Sequence, residues 1–287
     1  MKLCVIGGAG ARSAFLTKSL VKSTRDIRVD HIVLLDNDQQ KLKTYGEISR
    51  ELARRLDPDL TFEVTSDARA ALTGVDYIIT TIRAGGDAGR LFDEQTCLAH
   101  GVLGQETTGA GGFAMAIRSV PTLVYYCTLA REVANPGHLI FNFTNPSGII
   151  TQALRSKGFD NVYGICDAPS GFIKQLEEIL EIPYGTLDIE CYGLNHLSWF
   201  RNAKVNGRDV QRELLDNPRT YEHSEMRLFT REMARISGDC MLNEYLYFYY
   251  RRVKSLSMIQ KADHPRGEMI YLINRELEEQ LARLELP

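Results

Sequence analysis

The chain is short of the features that settle a function class on sight. Its six cysteines, Cys4, Cys97, Cys127, Cys166, Cys191 and Cys240, lie in apolar contexts without paired CxxC spacing. Neither a disulfide framework nor a zinc ribbon is expected, and they read as reduced intracellular thiols. No stretch approaches the ~18 apolar residues of a membrane helix, and the apolar start Leu3-Cys4-Val5-Ile6 stops at Gly7, too early for a signal-peptide core. Lysine and arginine form no runs, and a formal net charge of -3 with a pI near 6.1 leaves no electrostatic footprint for nucleic acid. Repeats, low-complexity tracts and linkers are missing too. These absences lead to the expectation of a cytoplasmic protein with neither nucleic-acid nor membrane partners. What is present is 287 residues, 44% of them hydrophobic, enough for one large or two intimately packed domains.

Leu3-Cys4-Val5-Ile6 reads as a buried parallel strand, followed at once by Gly7-Gly8-Ala9-Gly10-Ala11-Arg12-Ser13 and a helical pattern from Ala14 to Val21. Strand, glycine turn and helix form the context of a dinucleotide-binding turn: glycine lets backbone approach a pyrophosphate, and a helix N-terminus offers free N–H groups to it. Gly8 and Gly10 supply the first two glycines of that pattern, but Ser13 stands at the third. His31 to Leu35 is the next strand, ending in Asp36, whose carboxylate suits the ribose hydroxyls of NAD and repels the 2′-phosphate of NADP. The alternative for Asp36 is an N-cap for a helix from Gln40 to Arg55, a role open equally to Asn37 or Asp38.

Thr61 to Thr65 and Tyr77 to Ile82 read as further strands, with a short helix from Ala68 to Leu72 between them. Arg83-Ala84-Gly85-Gly86 then sits where a loop lies over the nicotinamide crevice. Arg83 and Arg90 are candidates for an anionic or polyhydroxy substrate, or else solvated surface arginines. A second glycine cluster, from Gly104 to Gly112, precedes helices expected at Phe113 to Val120 and Pro121 to Glu132; it is either a ligand loop or a plain surface connection. Leu139 to Phe143 is another strand, followed by Asn145 before a proline, an amide able to bond a sugar hydroxyl or the nicotinamide amide.

Val162 to Ile165 closes this half and delivers Cys166 and Asp167. A helix from Phe172 to Leu180 and an alternating strand from Leu187 to Leu194 lead to Asn195-His196. Cys166 and His196 offer a thiolate and an imidazole to one divalent metal with open coordination positions; a buried thiol and a satisfied histidine are the bland alternative. Four tyrosines between Tyr245 and Tyr250 cannot all face one core, so at least one is expected at a cavity. The last helix, Arg266 to Leu284, reads as a solvated face with an apolar seam suited to self-association. The fold class expected is α/β, a Rossmann-type doubly wound parallel sheet of the lactate and malate dehydrogenase kind (1–168), with an α+β substrate, metal and oligomerisation region (169–287).

Taken together the chain resembles glycoside hydrolase family 4, the NAD- and manganese-dependent glycosidases. The resemblance rests on Gly7 to Gly10, Arg83-Ala84-Gly85-Gly86 with Arg90 and Asp93-Glu94, Gly104 to Gly112, Asn142 to Gly148, Gly164 to Asp167, Gly193 to His196 and Asn243 to Leu246. It implies Cys166 and His196 as ligands of Mn²⁺, Tyr245 as base and Asp167 as proton donor to the leaving oxygen. Arg266 matches a phosphate-binding position, and Arg83, Arg90, Asn145 and Asn195 become candidate substrate contacts. The implied chemistry is redox elimination: oxidation at sugar C3 by NAD, deprotonation at C2, loss of the aglycone, addition of water and reduction at C3, an exception to two-carboxylate hydrolysis. The 104–112 loop resembles the 6-phospho-β-glucosidase branch, whereas Asp after Cys166 resembles the 6-phospho-α-glucosidase branch. The implied partner is a phosphorylated disaccharide or glycoside, and a homo-oligomer, dimer or tetramer, is expected. The end at Pro287 is early for the family and raises the expectation of a C-terminally truncated chain. Competing readings are a 2-hydroxyacid dehydrogenase using His196 with Arg83 or Arg90, and a non-catalytic NAD-binding protein.

Overall fold

A computed structural model describes residues 1–281 and 283 of the chain. The contacts divide it into two units. One comprises Met1–His100, Gly104–Ile165 and the segment from Asp263 onward; the other comprises Gly101–Leu103 and Cys166–Ala262. The change of unit thus falls just after Ile165 instead of after 168. The last helix, expected with the C-terminal region, belongs to the first unit.

That first unit is built on six parallel strands: β1 (Lys2–Ile6), β2 (His31–Leu35), β3 (Thr61–Thr65), β4 (Tyr77–Thr80), β5 (Leu139–Asn142) and β6 (Val162–Gly164). Their spatial order is β3-β2-β1-β4-β5-β6, the doubly wound order in which ligands bind at the carboxyl ends near the reversal between β1 and β4. The continuous apolar runs follow from burial on both faces. Cys4 and Ile6 enter a cluster with Val33, Leu35, Ile78 and Ile140, while Leu3 and Val5 enter another with Ile32, Leu34 and Val21.

Three expectations change here. The helix read as Gln40 to Arg55 is broken by a π turn over Leu42–Gly46 before resuming at Glu47–Leu56, and a Cβ on Gly46 would come within 2.5 Å of Val64. The two helices read on either side of Pro121 are one, Gly109–Val133. The missing proline N–H would have bonded the carbonyl of Ile117, an exposed residue where water can replace it. This helix also corrects the reading of hydrophobic length. Among the described residues it is long and apolar enough to cross a membrane, yet Leu123, Cys127 and Ala130 pack into the sheet core.

The second unit is organised on an antiparallel sheet of β7 (Leu187–Leu194), β8 (Leu197–Val205), β9 (Arg208–Asp209) and β10 (Met241–Leu242). Phe172 and Phe200 meet edge to face at 4.9 Å in its core. The last helix spans Arg266–Leu281; Leu284, expected in it, lies outside the described residues. Its seam is used within the first unit, where Leu277 and Leu281 pack against Ala9, Leu42 and Tyr45.

Candidate active site

The glycine turn leaves β1 with Gly7 at φ 80°. Gly7 and Gly8 both donate their N–H to the Leu35 carbonyl, at 2.8 and 3.0 Å. A Cβ on Gly8 would lie 2.9 Å from Leu34 Cβ and the Val5 carbonyl, so backbone must lie flat on β2 there, whereas a Cβ on Gly10 would meet open space. Ser13 takes the place of the third glycine by closing the turn: its Oγ donates to the Gly8 carbonyl and accepts from the Gly10 N–H, each at 2.6 Å. The helix that follows, Ser13–Ile27, has no acidic residue in its first turn and no side-chain cap, the condition in which N-terminal amides suit an anion. Asp36 is not the helix cap; Asp38 is, accepting from the Gln40 and Lys41 amides. Asp36 instead accepts from the Ala9 and Asp38 N–H groups, at 3.2 and 3.1 Å. Burial raises its pKa against the pull of those two donors.

After β4 the arginines meet carboxylates. Arg83 pairs with Asp87 and with Glu106, the latter at 3.1 Å; burial opposes its charge, yet Glu106 and Asp87 hold its pKa above the ordinary value. Arg90 is only 6% exposed, with Glu94 at 2.8 Å and Glu106 at 2.9 Å on its guanidinium. Glu94 also accepts from the Gly267 N–H at 2.7 Å, fixing the start of the helix whose first residue is the exposed Arg266. The second glycine cluster is a close-packed turn: Gln105 Oε1 accepts from Thr107 and Thr108, and Cβ atoms on Gly111 and Gly112 would strike the backbone of Gln105 and Thr107 at 2.6 Å. Asn145 follows β5 half-buried. The turn before it is held by Asn142, fully buried, which accepts from Thr80 Oγ1 at 2.9 Å and donates to Thr151 Oγ1 at 3.1 Å.

In the second unit three distant segments converge. Cys166 lies just before the helix Ala168–Leu180. His196 lies on the two-residue turn between β7 and β8, with φ 58°, a conformation that a non-glycine residue holds at a cost. Cys166 Sγ and His196 Nε2 are 3.6 Å apart. Metal bonds of roughly 2.3 Å to sulfur and 2.1 Å to nitrogen, meeting near the tetrahedral angle, span roughly that distance, so the pair fits one divalent ion. Among the described residues no group of three or more His, Cys, Asp or Glu could hold a metal, so such an ion keeps most of its positions for other ligands. The Tyr245 ring lies flat on the His196 ring, centroids 3.8 Å apart and planes 6° from parallel. Asp167 and Asn195, each a neighbour of the pair in sequence, are exposed. Burial pushes the Cys4 and Cys127 thiols up to about 12, as inert core residues.

The profile of Family 4 glycosyl hydrolase matches residues 2–182, and that of its C-terminal domain matches residues 191–286. This chain belongs to family 4 of the glycosyl hydrolases. It is 30% identical to the 6-phospho-beta-glucosidase BglT of Thermotoga maritima over 100% of this chain and 68% of that protein. It is 30% identical to the phospho-alpha-glucosidase PagL of Clostridium acetobutylicum over 86% of this chain and 59% of that one. The chain therefore spans about two thirds or less of the length of these relatives. A structure of the Thermotoga maritima 6-phospho-beta glucosidase with manganese, NAD+ and glucose-6-phosphate superposes with TM-score 0.87, covering 100% of this chain and 68% of that one at 30% identity. Malate dehydrogenase from Salinibacter ruber, at 17% identity and TM-score 0.56 over 85% of this chain and 72% of that one, shares the fold.

Reading the family 4 chain from sequence left five side chains that organise these sites without their roles, the fifth being the buried Glu225, which accepts from Asn243 and from the Glu244 N–H. Ser13 looked like a defect of the glycine pattern and is its closure. Glu94 and Glu106 occur in the quoted motifs, and Arg90 with Glu94 is a local pair, but Glu106 with Arg83 and Glu94 with Gly267 join segments 23 and 173 positions apart. Asn142 carried a signal, a polar residue ending an apolar strand. Glu225 carried none, lying amid a charged helical stretch.

Proposed function

We propose that this chain acts as a 6-phospho-β-glucosidase working by redox elimination with NAD and a divalent metal, Mn²⁺ by preference. The observation that carries the reading is the 3.6 Å Cys166–His196 pair with Tyr245 stacked on the imidazole. It gives Cys166 a role that the 2-hydroxyacid dehydrogenase reading leaves without one. Manganese, NAD+ and glucose-6-phosphate in the Thermotoga maritima relative support the same choice of cofactors and of a phosphorylated sugar. When bound, the metal polarises sugar oxygens at C2 and C3, and the nicotinamide takes and returns hydride at C3.

The chain's own residues do the rest. The Gly7 to Gly10 turn and Asp36 bind the dinucleotide at its pyrophosphate and ribose. Tyr245 Oη, as phenolate, takes the C2 proton, and the electron pair of that bond expels the oxygen at C1. Asp167 hands its proton to the departing oxygen. Water then adds at C1, giving its proton to Asp167, and the C2 proton returns from Tyr245. Arg266 and Arg83 bind the 6-phosphate, with Arg90 holding Glu106 beside Arg83; Asn145 and Asn195 orient hydroxyl groups.

A 6-phospho-α-glucosidase is the second reading, favoured by Asp167 after the cysteine and by the likeness to PagL. Both readings place the protein in a reducing cytoplasm, in keeping with six free cysteines. The homo-oligomer belongs to the same reading, supported by Phe92 and Phe113, 69% and 63% exposed on the first unit; light scattering after size-exclusion chromatography tests it. Release of p-nitrophenol from the β- and α-glucoside 6-phosphates, each with and without NAD⁺ and Mn²⁺, tests the activity. Dependence on both additions supports the reading and chooses the anomer. Net NADH accumulation would replace it with a dehydrogenase, and NAD binding without turnover with a binding protein.

A further inference from the structure

Beneath Tyr245 lies a buried carboxylate that the proposed chemistry does not use. Glu225 is 7% exposed, at the start of the 3-10 turn Glu225–Leu228. One of its oxygens, Oε2, accepts from Asn243 Nδ2 at 3.0 Å and from the Glu244 N–H at 2.9 Å. Asn243 is itself buried; its N–H donates to the Ser198 carbonyl at 3.2 Å, and its Oδ1 accepts from the Tyr245 N–H at 3.1 Å. Glu225 is anchored from behind, because its N–H donates to Gln175 Oε1 at 3.0 Å and Ser224 caps the turn. A chain of short bonds thus runs from the helix Ala168–Leu180 through Glu225 and Asn243 to the backbone that carries Tyr245. No apolar residue at 225 could accept the Asn243 amide and the Glu244 N–H in that setting, and an unmet buried donor is costly.

We propose that Glu225 is a positioning residue: through Asn243 and the Glu244 amide it fixes the Tyr245 backbone so that the phenol stays flat on His196. This rests on the reading of Tyr245 as the base. A ring stacked within 3.8 Å has little tolerance, and a displacement near 1 Å at a reacting group costs about 100-fold in rate. Glu225 is thereby assigned to the proton-transfer step, through its bonds to Asn243 and the Glu244 amide.

The test compares Glu225→Ala and Glu225→Gln with Tyr245→Phe in the full chain, first by hydrogen exchange without metal or dinucleotide. In Glu225→Ala the Glu244 and Tyr245 amides are expected to exchange about tenfold faster or more, while β8 amides keep their protection; Glu225→Gln, which retains an acceptor oxygen, restores both. Turnover of the glucoside 6-phosphate should then fall about 10- to 100-fold in kcat for Glu225→Ala with KM changed less than about threefold. The isotope effect from C2-deuterated substrate should rise. Unchanged exchange at 244 and 245, or an unchanged kcat beside an inactive Tyr245→Phe, overturns the proposal. Should Tyr245→Phe keep full activity, the base assignment falls, and the exchange data still decide whether Glu225 fixes the loop. Glu225→Asp, which withdraws the carboxylate by one methylene, serves the same comparison if the alanine variant does not fold.

Discussion

In the unit of β1 to β6 the candidate dinucleotide site consists mostly of backbone amides, held by a glycine turn that lies against β2 and is closed by one serine. In the unit from Cys166 to Ala262 the candidate site is made of side chains at positions 166, 196 and 245, meeting as a thiol–imidazole pair and a ring stack. A backbone-built site is sensitive where a Cβ would intrude and tolerant elsewhere. A side-chain-built site is sensitive to each member and to whatever orients it, because every side chain has rotamers that the fold must exclude.

The largest effect expected from this contrast is at Cys166. Cys166→Ala should lower metal-dependent turnover by more than about 1,000-fold, while NAD⁺ affinity, read by fluorescence titration, stays within about twofold. A parallel loss of NAD⁺ binding would break the distinction between the two units. Next comes Gly8→Ala, whose Cβ would lie 2.9 Å from Leu34 Cβ and the Val5 carbonyl. It should cost about 1–3 kcal/mol in chemical denaturation and weaken NAD⁺, whereas Gly10→Ala, with open space around its Cβ, should leave stability within about 0.5 kcal/mol.

Glu225 gives a pH signature. Burial pushes its carboxyl up to about 7, and the Glu244 carboxylate adds to that, while the Glu244 N–H and the Arg227 guanidinium oppose it; Cys191 is the thiol near enough to feel its charge. Between the ordinary carboxyl value of 4.5 and about 7 the folded protein holds a proton that the unfolded chain has released. Stability from this group therefore falls as pH rises through that window. Glu225→Gln should be about 1–3 kcal/mol more stable than wild type at pH 8 and show little gain at pH 4; a gain equal at both values would refute the assignment. A modest effect is expected at Ser13, where Ser13→Ala removes two 2.6 Å bonds and should cost about 1 kcal/mol, seen as a small shift in thermal midpoint.

How far such contrasts are visible before folding depends on how local their causes are. The runs Leu3 to Ile6 and His31 to Leu35 announce parallel strands because burial on both faces leaves no polar alternation. The glycine turn and Asp36 follow from strand geometry within about 30 residues, as a βαβ unit requires. Leu187 to Leu194 was legible as a strand because its alternation is local too. The helix through Pro121 was not, since the proline signal is local but its tolerance depends on an exposed carbonyl that only the packed helix reveals.

The sequence by itself determined the doubly wound sheet, the dinucleotide turn and the family, because each rests on residue types at short spacing or on a series of motifs kept in order. It also named Cys166 and His196 as a candidate pair from their residue types and place, and Tyr245 by resemblance. Only the tertiary structure decided that the imidazole and thiol stand 3.6 Å apart and that the tyrosine ring covers the imidazole. It alone showed that Arg90 is engaged by Glu94 and Glu106 and that Glu225 bonds Asn243 and the Glu244 amide next to Tyr245. The contacts that matter here join distant positions, Glu225 with Asn243, Cys166 with His196 and His196 with Tyr245; their distances are set by the packing of a core, which no local pattern encodes.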